Sequence, residues 1–140
     1  MIKNIANKLV RKYQTRNPFE ILKGMNVIVM FVPLEDVRGF YQYFQRNHII
    51  YIDENLNEHE KNFVCAHELG HLLLHKKTNA IYMDAHTNLN IDKIEIEANK
   101  FAMELLVSDD SIDKSMTLSQ LSRMLGYSES MLALKLKDFI

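Results

Sequence analysis

The sequence has a single cysteine, Cys65, among its 140 residues, so no disulfide can form within the chain. A lone thiol fits a reducing compartment. There is no surplus of either charge: 17 Lys and Arg stand against 18 Asp and Glu, a net charge of −1. That balance lacks the electrostatic footprint on which nucleic-acid binders and proteins of anionic membranes rely. No apolar run is long enough to span a bilayer. The first residues, Met1-Ile-Lys-Asn-Ile, contain no apolar stretch of the signal-peptide kind. Internal repeats and low-complexity linkers are missing too. A cytoplasmic location is therefore expected, with no membrane partner and no direct binding to DNA. What remains is 47% hydrophobic and 25% charged, the make-up of one globular domain spanning 1–140.

Ile2, Ile5, Ala6, Leu9, Val10 and Tyr13 recur at helical spacing and predict an amphipathic first helix. Asn17-Pro18 reads as the cap and first position of a short helix that Gly24 closes. The apolar, β-branched run 27–32 predicts a buried strand ended by Pro33. Segments 39–45 and 48–52 predict two more strands, with Arg46-Asn47 at the turn. Asn57 with Glu60 forms a capping box that opens a helix running to about Lys76. The polar segment 78–90 reads as a loop. Asn88 or Asn90 caps the next helix, which ends near Val107. Thr117 with Gln120 is a second capping box, for a helix stopped by Gly126, and 128–139 predicts a last helix. Helix, small antiparallel or mixed sheet, then helices argues for an α+β domain.

The chemistry sits in His67-Glu68-Leu69-Gly70-His71, inside the strongest predicted helix. Residues four apart stack on one helix face, separated by about 6 Å along the axis and about 40° in rotation. Two imidazoles so placed can bind one zinc ion. Glu68 then reaches the water that zinc acidifies, not the metal itself. Gly70 costs about 1 kcal/mol relative to Ala in a helix interior, so something is expected to approach the helix closely there. A catalytic zinc takes a third protein ligand. His75 has the wrong spacing for the longer three-histidine zinc motif and reads as a helix-end residue. Glu95 borders the apolar face formed by Ile94, Ala98, Phe101, Ala102 and Leu105. Glu97 falls with Lys93, Lys100 and Glu104 on the charged side. Glu95 is therefore favoured over Glu97, with Asp84 and Asp92 as weaker candidates. Asn99, one turn after Glu95, could orient a ligand.

Three segments resemble the ImmA/IrrE family of metallopeptidases: 50–56 (Ile50-Tyr-Ile-Asp-Glu-Asn-Leu), 63–75 (Phe63-Val-Cys-Ala-His-Glu-Leu-Gly-His-Leu-Leu-Leu-His) and 95–106 (Glu95-Ile-Glu-Ala-Asn-Lys-Phe-Ala-Met-Glu-Leu-Leu). The resemblance runs in order over about residues 27 to 139. It implies a zincin-like core, zinc held by His67, His71 and Glu95, and Glu68 as catalytic base. It also implies a partner: characterised members, encoded by phages, integrative elements and bacterial chromosomes, cleave helix-turn-helix repressors. The chain departs from many members in reading Leu105-Leu106-Val107-Ser108 where they continue Leu-Leu-Met-Pro, beyond the ligand position.

Residues 116–140 resemble a helix-turn-helix with Gly126 at the turn. From Thr117 onward Arg123, Lys135 and Lys137 stand against Glu129 and Asp138, too weak a basic balance for a phosphate footprint. A packing module or a surface for the repressor is the better expectation. Cys65 faces away from His67 and is expected to be buried. Tyr82 and His86 fall between the two ligand helices and could donate to an oxyanion. The expectation is a zinc endopeptidase acting on a helix-turn-helix repressor. The alternative is a catalytically silent module of the same shape that regulates a repressor by binding.

Overall fold

The computed structural model describes residues 1–75 and 88–137, and the side chains of 88–91 are left aside. Helices α1 (Ile2–Tyr13) and α2 (Pro18–Gly24) come first. Asn17 accepts a hydrogen bond from the Phe19 backbone N–H, and Pro18 fills a position that needs no donor. Strands β1 (Ile28–Val32), β2 (Gly39–Phe44) and β3 (Asn47–Asp53) follow. Helix α3 (Glu58–Leu74) begins at the expected capping box: Asn57 accepts from the Glu60 N–H, and Glu60 accepts from the Asn57 N–H. Helix α4 (Asn88–Leu106) has 19 residues. A 3₁₀ turn at Asp109–Ser111 leads to α5 (Leu118–Leu125) and α6 (Glu129–Leu136).

The sheet is mixed. β3 lies in the middle, parallel to β1 and antiparallel to β2. Val29, Ile50 and Tyr41 stand in register across it, and Ile50 and Ile52, on the strand that α3 packs against, are fully buried. The hairpin turns at Gln45 and Arg46, one residue earlier than expected. Both take left-handed φ, 49° and 66°, as a two-residue hairpin requires. The run 27–32 is a strand, but an edge strand, with Ile28, Met30 and Phe31 more than 40% exposed. An apolar run shows that residues avoid water on average; it does not show how many neighbours the fold supplies. Among the described residues the sheet has three strands and β1 pairs only with β3, so one side of β1 has no described strand beside it.

Two hydrophobic clusters meet along α4. The larger joins α1, α2, the sheet and α3 to Phe101, Ala102 and Leu105. The smaller joins Met103 and Val107 to Leu121 and Leu132 of the C-terminal pair, and Phe63 and Leu106 pack against both. The expected α+β class with a zincin-like core, two ligand-bearing helices and a C-terminal helical pair is what the structure has. Among the described residues no helix is long and apolar enough to cross a membrane.

Candidate metal centre

Helices α3 and α4 touch where Gly70 faces Ala98. A Cβ on Gly70 would come within 3.3 Å of the Ala98 Cα and carbonyl oxygen and 3.2 Å of Phe101. The approach expected at Gly70 is therefore the second ligand helix itself. That close crossing sets Glu95, one turn before Asn99, opposite the two histidines.

His67, His71 and Glu95 converge. The Nε2 atoms of His67 and His71 lie 3.1 Å apart. Glu95 Oε2 is 2.9 Å from His67 Nε2, and Oε1 is 3.0 Å from His71 Nε2. The two rings stand edge to face at 87°. Tetrahedral zinc with nitrogen and oxygen ligands places its donor atoms roughly 3.3 Å apart. Three donor atoms this close repel unless a cation or shared protons lie among them. The set, two imidazole nitrogens and a carboxylate, suits a borderline-soft divalent ion such as zinc.

The surrounding hydrogen bonds leave the right atoms free for this. His67 Nδ1–H donates to Asn99 Oδ1 over 2.8 Å, which turns the Nε2 lone pair toward the cluster. Electrostatics agree with the convergence. While Nε2 of His67 and His71 still carries a proton, hydrogen bonds from both hold the Glu95 carboxyl well below the usual carboxylate range, against the effect of burial; a bound cation would displace those protons and use the Nε2 lone pairs. Burial opposes charge on His67, yet its bond to Glu95 and the nearby Glu68 carboxylate raise its pKa on balance.

Glu68 is buried, 3.9 Å from His67 Nε2 through its Oε2 atom. Burial pushes its pKa up, partly offset by His67 and His71. That combination makes a carboxylate beside the cluster a stronger base than a solvated one. Gly39 makes room for it. A Cβ there would stand 2.5 Å from Val64 and 2.9 Å from the Tyr51 carbonyl oxygen, so only glycine lets the start of β2 lie this close to α3.

A cleft of about 770 Å³ opens over the cluster. Arg38 and Phe40, from the start of β2 and the segment before it, line it together with Phe63 of α3 and Met131 of α6. The C-terminal pair thus contributes to the rim of the site.

Of the other expected site residues, Asp92 is exposed. Tyr82, His86 and Asp84 lie outside the described residues. His75 caps the end of α3, as expected, but it also meets Glu97, whose side chain, expected in solvent, is only 30% exposed. His75 Nε2 lies 3.3 Å from Glu97 Oε1, and His75 Nδ1 lies 3.1 Å from His71 Nδ1. A single-helix projection places Glu97 on the charged side of α4; that side meets the end of α3 at this point. The available signal was His75 itself, which continues the four-residue spacing from His71. Cys65, as expected, is buried in the larger core.

Such a fold, with two histidines from one helix and a carboxylate from the next, defines a metallopeptidase arrangement. The chain belongs to a peptidase family, that of the IrrE N-terminal-like domain, whose model matches residues 22–137. It is 44% identical over 110 residues to Uncharacterized immunity region protein 2 of Bacillus phage phi105, covering 78% of this chain and 70% of that protein. It is 30% identical over 134 residues to Metallopeptidase ImmA of Bacillus subtilis (strain 168), covering 94% of this chain and 75% of that one.

Proposed function

We propose that this chain is a zinc-dependent endopeptidase acting in the cytoplasm, a single domain over 1–140 that cleaves a helix-turn-helix transcriptional repressor. The observation that carries the catalytic part is the convergence of His67, His71 and Glu95 beside the buried Glu68. When bound by these three residues, zinc supplies Lewis acidity and lowers the pKa of water toward about 7.

The chain's own residues do the rest. Glu68 accepts a proton from the attacking water and later passes it to the leaving amine, a role worth about 10²–10⁴ in rate. Asn99 keeps the His67 proton on Nδ1 and so keeps Nε2 available. Arg38, Phe40, Phe63 and Met131 border the cleft, where an extended peptide would lie over the cluster. Tyr82 and His86 are proposed as donors to the developing oxyanion.

Two facts support the repressor as substrate. One relative is by name an immunity region protein of a phage, and another is by name the metallopeptidase ImmA. The resemblance to the ImmA/IrrE family points to the same class of target, and to the relief of repression of phage or mobile-element genes.

The test incubates the zinc-loaded chain with a purified helix-turn-helix repressor encoded beside its gene and follows fragments by mass spectrometry. The wild type should cut at one position. Glu68→Gln should bind zinc as the wild type does and lose cleavage by at least about 10²-fold. If Glu68→Gln relieves repression as well as the wild type, hydrolysis is not the mechanism and the silent binding module replaces this reading.

A further inference from the structure

His71 is held differently from His67. Among the described residues its Nδ1 faces no amide or backbone carbonyl but a second imidazole, that of His75, at 3.1 Å, and His75 in turn meets the Glu97 carboxylate at 3.3 Å. The chain of groups is largely buried: the side chains of His71, His75 and Glu97 are 4%, 9% and 30% exposed. We propose that Glu97 and His75 form a proton-ordering relay that fixes the tautomer and ring orientation of His71 at the metal site. The inference rests on the reading of His71 as a ligand.

The direction of the relay follows from charge. A carboxylate only accepts hydrogen bonds. Facing Glu97, His75 must therefore carry its proton on Nε2, which leaves a lone pair on Nδ1. That lone pair accepts from His71 Nδ1–H, and the His71 Nε2 lone pair is then left facing Glu95 and His67. The reverse order fails at both ends. It would set the His75 Nε2 lone pair against the Glu97 carboxylate, and it would put a proton on His71 Nε2, where the metal must bind. One negative charge on α4 thus sets two proton positions on α3. Histidine ligands that donate their second N–H to an anchored acceptor are oriented by it, and loss of such a partner weakens metal affinity about 10–100-fold. His75 and Glu97 are positioning residues; neither touches the reacting atoms.

The experiment measures zinc affinity by chelator competition in the full chain, for the wild type and for Glu97→Ala, Glu97→Gln and His75→Ala. Circular dichroism of the zinc-free proteins checks that each is folded. Affinity should fall about 10–100-fold in Glu97→Ala and His75→Ala. Glu97→Gln, whose amide can present either end to His75, should fall between these and the wild type. Nitrogen-15 spectra of the zinc-loaded, histidine-labelled proteins give a second readout. The wild type should show His75 as the Nε2–H tautomer and a slowly exchanging Nδ1–H on His71. Glu97→Ala should lose the fixed His75 tautomer, which a purely structural role for Glu97 would leave in place. Wild type and variants that bind zinc equally, within about twofold, would overturn the relay and leave the metal site intact. A folded wild type that takes up no zinc would overturn both.

Discussion

Helix α4 carries two clusters of charge, about two and a half turns apart, and they are completed in different ways. At Glu95 the described partners are imidazoles, and the cluster also feels a second carboxylate, Glu68. At Glu104 the partner is Lys135 of α6, 2.7 Å away, with both side chains at most 2% exposed. Lys135 also reaches Asp109 at 2.8 Å, and Asp109 binds Lys3. Lys100 stands 3.7 Å from the second Glu104 oxygen. Arg16 donates to the Glu104 and Leu105 carbonyls, satisfying the end of the helix. The second cluster supplies its own cations and ties α1, α4 and α6 together. The first gathers lone pairs and leaves the cation to come from outside. Burial of charge alone does not separate a clasp from a site; whether the opposite charge comes from the chain does.

The comparison is broken most severely at Lys135. Lys135→Ala leaves Glu104 buried with Lys100 as its nearest cation, so it should destabilise the protein by about 3 kcal/mol. The zinc-free chain carrying Glu95→Ala should lose less, about 1 kcal/mol, because the carboxylate bonded to His67 and His71 is 43% exposed and solvent screens those bonds. Urea denaturation in the presence of a chelator measures both. Equal losses in the two variants would mean that the clusters do not differ in kind. The double variant Glu104→Leu, Lys135→Leu sharpens the point, since a packed apolar pair should recover most of the loss from Lys135→Ala.

How much of this the sequence disclosed depends on how many elements each feature needs. The His67–His71 pair needs one helix and a fixed spacing, and it was legible at once. Glu95 needed one helical projection to be preferred. Glu97, His75, Glu104 and Lys135 needed the relative placement of two helices, and a projection of α4 alone put Glu97 and Glu104 together on its charged side. In the fold the end of α3 covers the first and α6 the second. The capping boxes at Asn57 and Thr117 are local, and both formed as read. The burial of β1 is not local, and an apolar run does not report it.

Gly70 is where the open cluster depends on backbone contact. Alanine there gains about 1 kcal/mol in helix propensity. Its Cβ presses on Ala98 and Phe101, and overpacking of that kind costs about 1–3 kcal/mol. Gly70→Ala should therefore be destabilised by about 1 kcal/mol net. Zinc affinity should drop as well, because α4 must move away from α3 and take Glu95 with it. Stability loss with unchanged affinity would show that the strain is absorbed by the Phe101 ring rather than by the helix.

The smallest expected effect tests the exposed end of the closed cluster. Lys135, then Lys3, hold the Asp109 carboxyl below its ordinary range. A carboxylate depressed in the folded state adds stability that is present above its unfolded pKa of about 3.9 and is lost as pH falls through the folded value. Between neutrality and about pH 5, Asp109→Asn should therefore be slightly less stable than the wild type. Below about pH 4 the two should converge as the wild-type carboxylate takes up its proton. Asp109 is about half exposed, so added salt should also shrink the difference. The penalty for Lys135→Ala should persist at the same salt, because Glu104 is shielded from solvent ions. If salt erases both penalties alike, the Glu104–Lys135 pair behaves as a surface ion pair, and the contrast between a self-complemented clasp and an open metal site loses its energetic basis.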